Sequence, residues 1–391
     1  MTTASLISDI SSASRSCYLG AERACLDRLL PGLDSELEQL GFEQLESTEG
    51  LGIRLIKKYG GVRLCIPKTF GGIGATAMEA AQVQRAIASR SPSAAIATTM
   101  HHFTIATLVE LSSGGKGLDW LLIEAIAKDQ LWVASGFAEG EPDGRILCPS
   151  MALEESVNGF FITGVKRPCS LSKSMDLISV SLLVPGKDGA KNGRLAVALI
   201  PAHSVGMSVD PFWGNNILSA AETCSVNFNR VSVDPKLFSY SDAPNSLDRT
   251  QTRGLIWFQL LISASYLGVA SALVERVIKS GRVGRSYLAQ LGIELEGAMS
   301  ALAGMGLILE SGTFTSAALA QVLFGRYSIQ QAIDRATALA FELGGGRDFA
   351  RSGEASYLVA AARGLNFHPP SRSTMAEALG AQLEGEDLHG I

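Results

Sequence analysis

Few positions in this chain combine a reactive side chain with a telling context. His368 stands in the run Gly364-Leu365-Asn366-Phe367-His368-Pro369-Pro370. An imidazole there could exchange a proton near neutral pH, or simply cap the loop with a hydrogen bond. His101-His102 forms a second imidazole pair, with no third ligand or charge partner beside it, so a core or surface position competes with a catalytic one. Arg282 and Arg285 carry guanidinium forks, which suit a pyrophosphate because they donate two parallel hydrogen bonds; a solvated arginine is the competing reading. Gly344-Gly345-Gly346 follows a helical run and on its own reads as a helix stop. Trp257, Phe258 and Leu261 form an apolar stripe that suits either a core or a substrate tunnel. The six cysteines are scattered without a C-x-x-C pair, which argues against a disulfide framework or a zinc site. Neither G-x-G-x-x-G nor G-x-x-x-x-G-K occurs in the opening loops or the strand-rich middle, so nothing independently signals nicotinamide or a nucleoside triphosphate.

The elements that must position these groups follow from periodicity. Residues 4–128 are helical in pattern, with apolar steps of three and four over 21–40 and 75–88 and a further run over 94–111. A glycine- and proline-broken loop lies at 60–76, and Ser91-Pro92-Ser93 makes Ser93 a candidate N-cap. From about Gln130 the texture becomes short and β-rich: 131–135, 151–153, 159–165, 177–184, 195–200 and 223–228. Turn formers at 157–159, 185–186 and 191–193 separate these runs, which predicts an antiparallel β domain ending near Asp234-Pro235. After a polar link at 239–246, helices are expected over 247–281, 293–311, 316–343, 353–364 and 374–383. The expected class is therefore α+β in three domains, 1–128, 129–241 and 242–391. Residues 255–274 contain no charged side chain and are long enough to cross a bilayer. Gln259, Ser263, Ser265, Tyr266 and Ser271 within them, and no second such segment, favour the buried central helix of a bundle. Thirty-three basic against thirty-eight acidic residues give a net charge of -5, which argues against nucleic acid as a partner. Residues 1–15 lack the apolar core of a secretory signal, and a reducing, cytoplasmic setting is expected.

In this order, several segments resemble the acyl-CoA dehydrogenase superfamily of flavoproteins along nearly the whole chain. Gly61-Val62-Arg63-Leu64-Cys65-Ile66-Pro67-Lys68-Thr69-Phe70-Gly71-Gly72-Ile73-Gly74 is similar to that family's first loop. Ser135-Gly136-Phe137-Ala138-Glu139 sits where the family has its flavin-facing strand, and Gly164-Val165-Lys166-Arg167-Pro168-Cys169-Ser170 resembles its G-x-K-x-W-I-T segment. The run 221–235 is similar to the closing strand. The resemblance implies an N-terminal α-helical domain, a middle antiparallel β-barrel or sandwich and a C-terminal four-helix bundle. It further implies that Phe137, Ala138, Ser170 and Thr374 lie against a flavin, FAD or else reduced FMN. Arg285 with Glu296, eleven residues on, parallels residues that reach a neighbouring subunit's FAD, and Gly344, Gly345 and Gly346 a turn that approaches its phosphates. Phe258, Gln259 and Leu261 would line the substrate tunnel, and a homodimer or homotetramer is expected.

Both family positions of the glutamate that removes the substrate's α-proton are changed. Nine residues past Arg363, where an acid is expected, stands Arg372; on the central helix the counterpart is Phe258, and residues 251–274 hold no Asp or Glu. Glu354 and Glu377 are off-register replacements. The catalytic candidates are Arg372 and His368, and no metal is expected. The segment around His368 also resembles the F-H-P run of a divergent branch that includes flavin-dependent monooxygenases. The first functional expectation is oxidation of the α,β C–C bond of an acyl thioester, on CoA or a carrier protein, with an electron-transfer flavoprotein or oxygen as acceptor. The alternative is a two-component monooxygenase fed by a flavin reductase; a third is a degenerate member without turnover.

Overall fold

Helices come first in chain order, then strands, then helices again, and a computed structural model describes residues 17–113, 119–140, 149–156, 159–184, 194–240 and 248–388. The turns expected at 157–158, 185–186 and 191–193, most of the polar link and Cys148 lie outside the described residues. The N-terminal layer comprises α1 (Gly20–Leu29), α2 (Leu33–Ser47), α3 (Leu51–Lys58), α4 (Ala77–Ala88), α5 (Pro92–Ser113) and α6 (Asp119–Asp129). The single helix expected over 21–40 is two, because Pro31-Gly32 breaks it and Gly32 has φ 87°. The loop between α3 and α4 is fixed by close backbone approach: a Cβ on Gly72 would sit 1.9 Å from the Ile66 carbonyl oxygen. Helix α5 starts at Pro92, so Ser93 is not its N-cap. Instead the buried carboxylate of Glu46, on α2, accepts the Ser93 N–H and the hydroxyls of Ser91, Ser93 and Tyr357.

The strands form two four-stranded sheets. One has the order β1 (Val133–Gly136), β4 (Leu177–Val184), β5 (Arg194–Pro201), β8 (Phe238–Tyr240). The other runs β2 (Ala152–Ser156), β3 (Gly159–Cys169), β7 (Cys224–Val233), β6 (Met207–Pro211). Seven of the eight strands are antiparallel to a neighbour, but β1 pairs with β4 in parallel, Ser135 opposite Ser179, which the antiparallel expectation did not contain. β6 and β8 are further strands that sequence pattern did not mark; β6 is short and exposed and β8 has three residues, so neither shows a buried alternation.

The C-terminal bundle contains α7 (Arg249–Ser280), α8 (Arg285–Ser311), α9 (Ser316–Arg351), α10 (Gly353–Ala362) and α11 (Arg372–Leu383). Helix α7 is its axis, packing on α4 and α5 on one side and on α8, α9 and α10 on the other. Its most apolar stretch is 94% buried. Four of its polar residues are spent on neighbours: Ser265 on Thr99, Ser271 on Arg85, Gln259 on the Pro369 carbonyl and Tyr266 on His368. Contrary to expectation, α8 is a second helix long and apolar enough to cross a bilayer. Arg85 of α4 is fully buried and paired to Glu22 of α1 and Glu296 of α8, so Glu296 serves an ion pair within its own chain.

Candidate active site

A cavity of about 1410 Å³ opens where the helical layer, the sheets and the bundle meet. Its innermost walls are two helical stripes. Ile96, Met100, Phe103, Thr107 and Leu111 recur at three- and four-residue steps on α5, and Gln251, Gly254, Leu255 and Phe258 do so on α7. That second stripe explains the fate of the expected tunnel. Phe258 lines the cavity, whereas Gln259 and Leu261, turned about 100° and 300° further round the helix, do not. Leu261 belongs to the core and Gln259 is buried against Pro369. The Thr104 and Thr107 hydroxyls bond carbonyls of their own helix, so this alcove between α5 and α7 is mainly apolar, with Asp248, Thr250 and Gln251 at the start of α7 its polar end.

The opposite wall is polar and comes from the sheets. Ser135 and Ser179, opposite one another on β1 and β4, face the cavity, as do Phe137, Ala138 and Glu139 just beyond β1. Ser170 follows β3, and its hydroxyl lies 2.9 Å from that of Thr223, which precedes β7; both line the cavity. Beneath them Lys166 is fully buried, 2.7 Å from Glu139 and 3.1 Å from the Ser181 hydroxyl. Burial works against both charges. The pairing with Lys166 and the Ser150 donors nonetheless hold the Glu139 carboxyl below the usual carboxylate range, and burial leaves Lys166 below the usual lysine value.

The bundle closes the cavity with the loop that carries His368. The loop's carbonyls are clamped from outside: the buried Arg326 of α9 donates to those of Leu365, His368 and Pro370, and Tyr327 also donates to that of Pro370. His368 lines the cavity, and its Nε2 lies 2.9 Å from the Tyr266 hydroxyl. Burial, with Arg326 nearby, pushes this imidazole down to about 3 and keeps it neutral. Thr374 also lines the cavity, its hydroxyl 2.6 Å from that of Ser371, the N-cap of α11.

Other expected site residues fall elsewhere. Arg372 is the first residue of α11; Ser371 caps that helix and Arg372 is exposed, off the cavity wall. Glu354 pairs with Arg276, and Glu377 reaches the cavity wall as an exposed residue. Arg285 is exposed at the start of α8. The glycine triplet kinks the end of α9, where Gly345 has φ 76°, and no neighbour lies within 4 Å of a Cβ built on Gly345 or Gly346. Neither group lines this chain's own cavity. His101 and His102 are core residues. His101 accepts the Val133 N–H at Nδ1 and donates to the Val62 carbonyl, while neither ring nitrogen of His102 has a partner among the described residues. Sequence reasoning missed Arg326, Tyr266 and the α5 stripe; the stripe's three- and four-residue steps were the one signal available. Among the described residues, no group of acidic, histidine and cysteine side chains could hold a metal ion.

No family model matches the chain. It is 37% identical over 375 residues to isobutylamine N-hydroxylase of Streptomyces viridifaciens, covering 95% of this chain and 99% of that one. Dibenzothiophene monooxygenase of Rhodococcus erythropolis is 27% identical over 227 residues, 56% of this chain and 53% of its own. A probable FMNH2-dependent monooxygenase of Pseudomonas putida is 27% identical over 222 residues, 56% of this chain and 52% of its own. Among solved structures, the nitrososynthase from Micromonospora carbonacea var. africana superposes with a TM-score of 0.80 at 19% identity, covering 95% of this chain and 99% of that one. FMN-bound TdsC from Paenibacillus sp. A11-2 does so with a TM-score of 0.80 at 18% identity, covering 93% and 98%. The fold is thus the α+β, acyl-CoA dehydrogenase-like one.

Proposed function

The chain belongs to the family of isobutylamine N-hydroxylase and is an oxidoreductase, and from that premise we propose that it is a two-component flavin-dependent monooxygenase that hydroxylates the nitrogen of a small primary amine. It takes reduced flavin from a partner reductase. In balance, R–NH2, O2 and reduced flavin give R–NHOH, water and oxidised flavin: the two flavin hydrogens leave with the second oxygen atom. FMN is the favoured flavin, in keeping with relatives named for FMNH2 and FMN.

The observation that carries this reading is a single cavity with two unlike halves. Its volume of about 1410 Å³ exceeds the roughly 300–1,000 Å³ of a usual ligand pocket, enough for a cofactor and a substrate together. The hydroxyl- and amide-bearing wall at Phe137, Ala138, Ser170 and Thr223 suits a heterocycle, for which bound flavin supplies the two electrons that activate dioxygen. The mainly apolar alcove suits a short alkyl chain ending in a neutral amine, the form whose nitrogen keeps its lone pair. Thioester oxidation is disfavoured: neither expected base position offers a carboxylate to the cavity, since one is Phe258 and the other, Arg372, lies off the wall. The test supplies reduced FMN, isobutylamine and 18O2; the expected product is a hydroxylamine carrying one 18O. Bleaching by an acyl thioester with no oxygen transfer would overturn the reading.

Two predictions belong here. A Cβ on Gly254 would lie 2.6 Å from the Thr107 hydroxyl, so Gly254→Val fills the alcove. It should lower kcat/KM for isobutylamine by roughly 10–200-fold while sparing ethylamine, as measured by paired steady-state assays. Among the described residues no lysine or arginine lines the cavity, so a flavin phosphate needs a cation from elsewhere. A second copy supplying Arg285 and the Gly344–Gly346 turn answers that need. The apolar face of α8, with Ile293 74% and Leu307 54% exposed, is where the copies of a homodimer or homotetramer would meet. Arg285→Ala should therefore weaken FMN binding on the order of tenfold or more, the worth of a charged hydrogen bond, in fluorescence titration. The order helices, strands, helices supports reading 1–128, 129–241 and 242–391 as three domains, and the need for reduced flavin from a partner reductase supports a cytoplasmic setting.

A further inference from the structure

His368 enters the site with three possible roles: acid, base or loop cap. The clamping of its loop removes the last, because Arg326, Tyr327 and Gln259 already hold the loop's carbonyls and the imidazole bonds none of them. We infer that Tyr266 is a positioning residue that fixes His368 as the Nδ1–H tautomer, so that the imidazole presents the cavity with a hydrogen-bond donor and not a base. This rests on the oxygenase reading for its purpose, though not for its geometry.

Tyr266 is buried in α7, and its hydroxyl has one hydrogen-bond partner among the described residues, His368 Nε2 at 2.9 Å. A buried phenol must place its hydrogen. Donated to Nε2, it leaves Nδ1 to carry the ring hydrogen. Were Nε2 to donate instead, the phenol hydrogen would have no acceptor among the described residues, which weights the equilibrium against that tautomer by on the order of tenfold. The hydroxyl cannot swing away, because it is wedged against Gly364. A Cβ there would sit 2.5 Å from the phenol oxygen, so this position must be glycine for the pair to form. The Arg326 guanidinium bonds the carbonyl of His368 itself, and its positive charge opposes a second proton on the ring. Nδ1 has no partner among the described residues, and His368 lines the cavity, so its hydrogen is free to meet an acceptor oxygen on the reacting partners. His101 is the mirror case: there Nδ1 accepts from Val133 and Nε2 donates.

The test reads the tautomer directly. The protein is labelled with 15N-histidine and examined by multiple-bond 15N–1H NMR, with His368→Asn identifying the signal among the five histidines. The expected result is Nδ1–H at His368, opposite to the Nε2–H form that free histidine favours in water. In Tyr266→Phe the Nε2–H form should appear, and product formed per reduced FMN consumed should fall about fivefold, with FMN affinity within twofold of wild type. Should that variant fail to fold, Gly364→Ala displaces the hydroxyl and should give the same signature. Nε2–H in the wild type, or an unchanged Nδ1–H signal in the variant, overturns the inference. Because the tautomer is read on the resting protein, it stands or falls separately from the 18O2 result.

Discussion

Replacing Arg326 with methionine lowers the free energy of unfolding by about 3 kcal/mol and leaves less than a tenth of the oxygenated product per reduced flavin. Two effects oppose each other at this site. Arg326 is a fully buried cation whose hydrogen bonds all go to carbonyls, with no carboxylate beside it, and burial depresses its hold on the proton. Removing it relieves that desolvation. However, the loop then loses three hydrogen bonds from a charged donor: the His368 carbonyl is left unsatisfied, at about 1–3 kcal/mol, while those of Leu365 and Pro370 keep only the His368 N–H and the Tyr327 hydroxyl. The orphaned His368 carbonyl and the three lost charge-assisted hydrogen bonds together outweigh the one relief. Arg326→Lys should recover little, because an ammonium is a point donor and cannot span three carbonyls as a planar fork does. Urea titration and a product-to-peroxide ratio measure both consequences. A variant as stable as wild type, with coupling intact, would show that the loop holds its shape unaided.

A second large effect is expected on acidification. His101 and His102 are buried and neutral; burial pushes His101 down to about 4 and His102 well below its ordinary value. In the unfolded chain both titrate near 6.5. As pH falls below about 6.5 the unfolded state therefore takes up two protons that the folded state refuses, and stability falls with pH. The slope is roughly 2.7 kcal/mol per pH unit once both are protonated in the unfolded chain. It persists until the folded pKa of His101 is reached near 4. His368 pulls in the same direction. Glu46 and Glu222, raised by burial, pull the other way, because the folded state holds their protons more tightly. Urea midpoints at pH 7, 6 and 5 should drop steeply. His102→Leu, which removes two unpartnered ring nitrogens, should flatten the slope by about a third and cost little at pH 7. An equal slope in that variant would place the acid sensitivity elsewhere.

What could be read in advance was whatever local pattern dictates. The strand at 177–184 matches β4 at both ends, because a continuous apolar run admits few other boundaries. The uncharged stretch at 255–274 lies within α7, and four of the five polar residues that argued against a membrane span bond its neighbours, while the Ser263 hydroxyl has no partner among the described residues. The site itself was legible only in part. Phe137, Ala138, Ser170, His368 and Thr374 do converge on one cavity, because each sits beside a turn or cap with its own sequence signature. Arg326 and Tyr266 gave no such signal. Each is one polar residue in a long helical pattern, and its meaning comes from a loop 40 to 100 positions away. Glu46 is the same case: a carboxylate on α2 becomes a cap only once α5 folds against it.

Because no cationic side chain lines the cavity among the described residues, each protomer would be half of two sites. Two variants impaired on isobutylamine, one lacking Arg285 and the other with a blocked alcove, should then rescue each other on mixing and reassembly. Rescue would be partial, since the hybrid restores only those pockets whose two halves both come from intact surfaces. Activity would also fade on dilution faster than the fold does, making catalysis a reporter of assembly.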